Sequence, residues 1–474
     1  MKKLNIHCLI LIFDELRADK KSLYSCLLVN KEWCYLVIPI LWKNYPTYFV
    51  MISEKSREKF SNIILSCLPK SSKQLLLENN IKLPQTILSK TPTFNYVSLY
   101  KFLEAKIINN ITNVVFKNFS KKRNLLEQEI YKLFVSQCKG IKELEWQTSQ
   151  PLPSFPGALT CFSRLYSLQV DLSHVNSNNL YEMAHICKDL GELTICGFSQ
   201  DVRGLTFLIN EQRNLKSITL NAKKELCQEL SKVLARKGHT ISNLSLVGSF
   251  GFISHSFLTS LVNLKKLKVC YCFVKYEEIE EFQEYLANSI FPELQSLEIY
   301  YNLLCLKEFA KLIEKTEGNI SNISALSFLN FNSSAEYTGI FLKAISNHCP
   351  KIKNLATHIG PEDLKYVKSL LMNCRNLISL NLDSLRENNN NIGDELLDIL
   401  TKFSPRCLTN IMISGDWKYS IDSFENYFES YRERKSLRFM INCLNGNKIT
   451  PIHIEVVRKY YEEGIIISSN LIIE

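Results

Sequence analysis

Leu264-Lys265-Lys266-Leu267-Lys268-Val269, followed by Leu294-Gln295-Ser296-Leu297-Glu298-Ile299, sets the pattern for most of this 474-residue chain. An aliphatic residue, two variable residues, a second aliphatic, one variable residue and an apolar one recur twelve times from Ile141 onward. Other clear copies are Leu190-x-x-Leu193-x-Ile195, Leu215-x-x-Ile218-x-Leu220, Leu377-x-x-Leu380-x-Leu382 and Leu408-x-x-Ile411-x-Ile413. Leading residues fall at 141, 165, 190, 215, 241, 264, 294, 323, 352, 377, 408 and 437, so successive gaps run from 23 to 31 residues. Ile352-x-x-Leu355 ends on Thr357, Leu437-Arg438-Phe439-Met440 fits poorly, and Ile111-x-x-Val114-x-Phe116 is the candidate for a thirteenth copy.

Within each copy, alternation sends Leu267 and Val269 to one face and Lys268 to the other, as a strand requires. Between copies the period lengthens to that of a helix. Leu226, Cys227, Leu230, Val233 and Leu234 form one apolar stripe within 223–237, and Pro361 opens a helix lined by Leu364, Val367, Leu370 and Leu371. The stretches 276–287, 306–315, 392–403 and 454–461 follow the same rule. A lone strand–helix unit cannot bury its apolar face, so each leans on its neighbours. The spacing is that of a leucine-rich repeat. It predicts an α/β chain, a curved solenoid with parallel strands on the concave face and helices on the convex face.

Cys138, Cys187, Cys349 and Cys374 each stand three residues before a leading position, and Cys272 stands three after Val269, where Asn302 follows in the next copy. These positions resemble the cysteine-containing subclass of leucine-rich repeats found in F-box proteins. None of the 16 cysteines forms a C-x-x-C pair, so they read as small apolar fillers in a reducing compartment and no metal site is expected. The charge of +10, from 57 basic and 47 acidic residues, is modest for this length. Lys121-Lys122-Arg123 is the longest basic run, which gives nucleic-acid binding little support. Glycine-rich phosphate loops, H-E-x-x-H and G-x-S-x-G are missing from the sequence, and neither enzymatic activity nor a cofactor is expected.

The apolar run Cys8–Phe13 spans six residues and meets Asp14 and Glu15, which is unlike a secretory signal. The expected location is the cytoplasm, the nucleus or both. Leu9, Ile12, Phe13 and Leu16 share one helical stripe, and Leu23, Leu27 and Trp33 follow. Leu4, Leu9, Ile12, Phe13, Leu16, Val29, Lys31 and Trp33 make residues 1–46 resemble an F-box, with Asn5 where that motif has proline and His7 where it often has an acid. The resemblance implies docking on the Skp-type adaptor of a cullin–RING ubiquitin ligase. Leu4, Leu9, Ile12, Phe13 and Leu16 would then contribute to the adaptor-facing surface, while Trp33 would help anchor the helices.

An F-box followed by leucine-rich repeats looks like the substrate receptor of such an SCF complex. The alternative is a leucine-rich-repeat interaction scaffold with no ubiquitin-ligase role, its first helices serving as a cap. Residues 47–93 form a helical connector, with Phe60, Ile63, Ile64 and Leu68 on one stripe, and 94–474 the repeats.

The strand face is the expected recognition surface for a protein substrate. Alternation places Glu145, Gln169, Thr194, Thr219, Ser245, Lys268, Glu298, Ser327, Ala356, Asn381 and Met412 along its centre. Gln147, Asp171, Asn221, Tyr300, His358 and Asp383 lie one pleat further along. Tyr300 and His358 stand out for size joined to a polar tip.

Overall fold

A computed structural model describes residues 4–43, 53–84, 87, 92–116, 121–197, 201–222, 228–249, 253–273, 276–300, 305–326, 335–384, 393–415, 417–442 and 449–472. The chain packs as two compact units, residues 1–215 and 216–474. The F-box-like stretch and the connector thus belong to the same unit as the first repeats.

The first unit opens with three helices, α1 (Ile6–Glu15), α2 (Lys20–Cys26) and α3 (Lys31–Lys43). Asn5, standing where the F-box pattern has proline, caps α1 by accepting a hydrogen bond from the His7 amide, so the helix start is defined by a different device. Asp19 and Asn30 cap the next two helices through Ser22 and Trp33 amides. The connector forms α4 (Glu54–Ser66) and α5 (Lys70–Glu78), with Phe60 and Ile64 buried as their stripe requires. Trp42 stacks on Phe60 with ring centroids 5.6 Å apart, tying the end of α3 to α4. Then come α6 (Ala105–Val115) and α7 (Arg123–Gln137). Ile111, Val114 and Phe116, read above as an early strand, lie in and just after α6 instead. Ile107, Ile108 and Ile111 make its buried face, a helical spacing that overrides the local resemblance to the repeat.

Strands β1 (Phe102–Leu103), β2 (Glu143–Trp146), β3 (Ser167–Asp171) and β4 (Glu192–Cys196) of this unit pair in parallel and in chain order. The second unit repeats the arrangement with β5 (Ser217–Ala222), β6 (Asn243–Ser249), β7 (Lys266–Phe273), β8 (Ser296–Tyr300) and β9 (Asn322–Leu326). It continues through β10 (Asn354–Ile359), β11 (Ser379–Ser384), β12 (Asn410–Ser414), β13 (Leu437–Asn442) and β14 (Ile466–Ser468). A helix or a 3-10 turn separates each strand from the next, as in the helices Tyr276–Asn288, Leu306–Glu314 and Gly393–Phe403. This is α/β architecture with a parallel strand ladder in each unit, the geometry of a leucine-rich-repeat solenoid.

Register-matched side chains fill the interior. Leu267, Leu297, Ile323, Leu355, Leu380 and Ile411 sit opposite one another on successive strands, and all are at most 2 % exposed. A second row, Val269, Ile299, Ala325, Thr357, Leu382 and Ile413, is as deeply buried. Just before the strands, one carbonyl accepts from two successive amides of the next repeat. Ser242 O takes Lys265 and Lys266, Lys265 O takes Gln295 and Ser296, and Lys353 O takes Ile378 and Ser379. Buried cysteines fill the corners beside these turns. The Cys187 thiol donates to Met183 O and the Cys374 thiol to Cys349 O, and burial pushes their pKa values up to about 12 and about 11. They remain protonated fillers.

Two repeats sit in a different phase from the sequence reading. Ile323 pairs with Leu297, so the leading residue of that repeat is Ile320, and Ser324 rather than Ser327 takes the central outward position. Ser327 itself lies outside the described residues. Apolar residues at 320, 323 and 326 offer two frames, and the observed one buries Ile320 and Ile323 while small Ala325 fits the inner row. In β13, Phe439 faces Ile411 and Ile441 faces Ile413, which moves that repeat's frame and accounts for the poor fit at Met440.

Close approach of neighbouring helices sets one sequence constraint. A Cβ on Gly204, in the helix Arg203–Glu211, would lie 2.1 Å from the Ser177 carbonyl oxygen of the preceding repeat. Gly204→Ala is therefore expected to destabilise the first unit by about 2 kcal/mol through overpacking against backbone. A thermal melt equal to that of the wild type would show that the two helices do not meet there.

Candidate functional site

Two surfaces carry the residues singled out by sequence. On the N-terminal helices, Leu9, Phe13, Leu23 and Val37 form the core, with Leu16, Leu27 and Trp33 packed partly buried against it. Trp33 meets Phe13 edge-on at 5.1 Å between ring centroids. Leu9 and Phe13, read above as partner-facing, are thus interior residues, since their shared stripe is the one that α3 covers. Leu16 is half-buried, and Leu4 and Ile12 are exposed. Sequence reading missed the apolar residues beside them. Ile6, Ile10 and Leu11 on α1, Tyr24 on α2, and Leu28 and Val29 in the turn before α3 all face outward, with Leu28 88 % exposed. Their signal is an apolar run, Leu9 to Phe13, too continuous for one helix face to bury.

On the strand face of the first unit, Glu145, Gln169 and Thr194 stand side by side in register on β2, β3 and β4. Glu145 is already engaged. Its carboxylate accepts from the Ala105 amide at the start of α6, from Gln147 at 2.7 Å and from Gln169 at 3.4 Å. That is a helix-capping role as much as a recognition role. Neighbouring Glu143 has its pKa raised, by burial first and then by Glu192.

In the second unit, register aligns Thr219, Ser245, Lys268, Glu298, Ser324, Ala356, Asn381 and Met412 across β5 to β12. Lys268 Nζ lies 3.4 Å from Glu298 Oε2 and 5.2 Å from the centre of the Tyr300 ring. Both charged groups are well exposed, so the pair contributes little to stability. Ser324 and Ala356 are the short members of the row. Over them opens a hollow of about 260 Å³ lined by Glu298, Tyr300, Asn322, Asn354, Ser379 and Asn381, among others. Asn354 donates to Asn322 within this lining. Among the described residues, no group of three or more His, Cys, Asp and Glu side chains is placed to hold a metal ion.

No protein-family model matches the chain. No curated relative matches it either. Among solved structures, a leucine-rich-repeat protein of Leptospira interrogans is similar at 15 % identity, over 77 % of this chain and 92 % of that one, with a TM-score of 0.31. A likeness that loose bears on neither the fold nor the function argued from the geometry above.

His358 is only 5 % exposed, although its position on β10 belongs to the outward row. The alternation of β10 breaks at its end, where Thr357, His358 and Ile359 are all buried. His358 is therefore far less accessible than Tyr300 or Asn381. Desolvation lowers its pKa to about 4 despite Asp383 at 3.5 Å, so it is neutral at pH 7. His255 is lowered to about 4 for the same reason. A depressed histidine pKa means that the unfolded chain binds more protons between about pH 6.5 and 4. The stability these groups confer is complete above pH 6.5 and lost as pH falls toward 4. In urea titrations of the whole chain, the wild-type midpoint should fall more steeply over that window than the midpoint of His358→Gln. Equal slopes would contradict the burial of His358.

Proposed function

We propose that this protein is the substrate-recognition subunit of an SCF-type ubiquitin ligase, docking on a Skp-type adaptor through its N-terminal helices and holding a protein substrate on its strand face. One observation carries the reading. Leu4, Ile6, Leu11, Ile12, Leu28 and Val29 are exposed on a module whose own core is already complete. Large apolar side chains left outward in this number on so small a module mark a surface that a partner covers. A module that served only as a cap would keep its large apolar side chains against the chain that follows; α3 does pack there, through Trp42 on Phe60 and Tyr96, yet the six residues named above stay outside.

Support also comes from the resemblance of residues 4–33 to the F-box. In this reading the chain contributes binding and other subunits perform the ubiquitin chemistry, in the cytoplasm or the nucleus. No helix among the described residues is long and apolar enough to cross a membrane.

The test is co-purification with a Skp-type adaptor and its cullin. Leu11→Asp combined with Ile12→Asp changes only exposed positions, so the fold should survive while adaptor binding falls at least about tenfold, given roughly 1.5–3 kcal/mol for each apolar side chain buried. Circular dichroism checks the fold. If the double variant retains full binding, or the wild type ignores the adaptor, the ligase assignment is wrong and an interaction scaffold remains.

A further inference from the structure

On β7 and β8, the protein displays how its strand face holds a cation. Glu298 and Tyr300, two residues apart on one strand, receive the Lys268 ammonium between a carboxylate oxygen and a ring face. Lys268 reaches them from β7. On the other side the same two side chains wall the hollow over β8 to β11, which is empty because Ser324 and Ala356 are short.

Among the described residues Glu298 is the only charged side chain in that lining; its polar companions are hydroxyls and amides, and the Tyr300 ring with Leu297, Ile323, Leu355 and Ala356 supplies the apolar part. Asn381 Oδ1, on the far wall, is buried and accepts no hydrogen bond among the described residues. An unmet acceptor across the hollow from an anionic one suits a donor-rich guest.

We propose that this hollow seats an arginine or lysine side chain from an extended segment of the protein partner. The proposal rests on the strand face being the partner-binding surface. The guest's cation takes the side of Glu298 and Tyr300 opposite Lys268, and its donors meet the amide and hydroxyl oxygens along the floor. The Lys268–Glu298 pair, exposed and weak, yields its share of the carboxylate at little cost.

The sign of two substitutions distinguishes a basic guest from an acidic one. Twelve-residue peptides selected by phage display on the full-length chain would be synthesised and their binding measured by fluorescence anisotropy. Selected peptides should carry a basic residue whose replacement by Gln weakens binding about tenfold, the usual worth of a charge-assisted contact. Glu298→Gln should weaken binding to a similar degree, Lys268→Ala should strengthen it, and Ser324→Trp, which fills the hollow, should abolish it. Thermal melts check that each variant is folded, and Glu298→Gln keeps the test decisive if Ser324→Trp does not fold.

Strengthening by Glu298→Gln with weakening by Lys268→Ala would overturn the proposal in favour of an acidic guest. Peptides that bind Ser324→Trp normally but are lost on Met412→Arg would show that the strand face binds partners without using the hollow. Recovery of no peptide, or insensitivity to all of these changes, would sink the hollow and the strand-face reading together.

Discussion

Everything in this structure depends on the inward pairs of aliphatic side chains meeting in register across parallel strands. Leu267 touches the same interior as Leu297, and Leu297 the same interior as Ile323, because each strand begins at the same point relative to its neighbour. The shared carbonyls ahead of the strands fix that starting point. Each buried side chain contributes about 1.5–3 kcal/mol, and no repeat has enough of them to stand alone. The outward face is a by-product of the same constraint. Once the inner rows are aligned, Lys268, Glu298, Ser324, Ala356 and Asn381 have no freedom to be anywhere but side by side.

That dependence explains what was legible from sequence. Period-two alternation with a fixed leading aliphatic located all the strands from β2 to β13, including the weak copy that ends on Thr357. The short end strands β1 and β14 escaped because two or three residues carry no periodicity. The phase at Ile323 was ambiguous because apolar residues at 320, 323 and 326 satisfy either frame, and only the neighbours Leu297 and Leu355 decide between them. The hollow was hidden by the same slip, since it exists only when Ser324 stands beside Ala356. Burial of His358 breaks the alternation that sequence reasoning relies on, so its position was legible and its accessibility was not.

The N-terminal helices pose the opposite problem. Their apolar stripe was visible, but a stripe does not say which of its members lie inside. Packing against α3 takes Leu9 and Phe13 into the core and leaves Ile12, Leu11 and Leu28 outside. A small module with more large apolar residues than its interior can hold is therefore the feature on which the proposed function rests, and the strand face is the second surface that the proposal uses.

A double-mutant cycle at Leu267 and Leu297, with Leu267 and Ile411 as the distant control, tests the central claim most directly. Stability would be measured by urea unfolding of Leu267→Ala, Leu297→Ala and the double variant. Shared packing predicts a coupling energy of about 1 kcal/mol for the adjacent pair and additivity for the distant one. Additivity at the adjacent pair would contradict a common interior built from neighbouring strands.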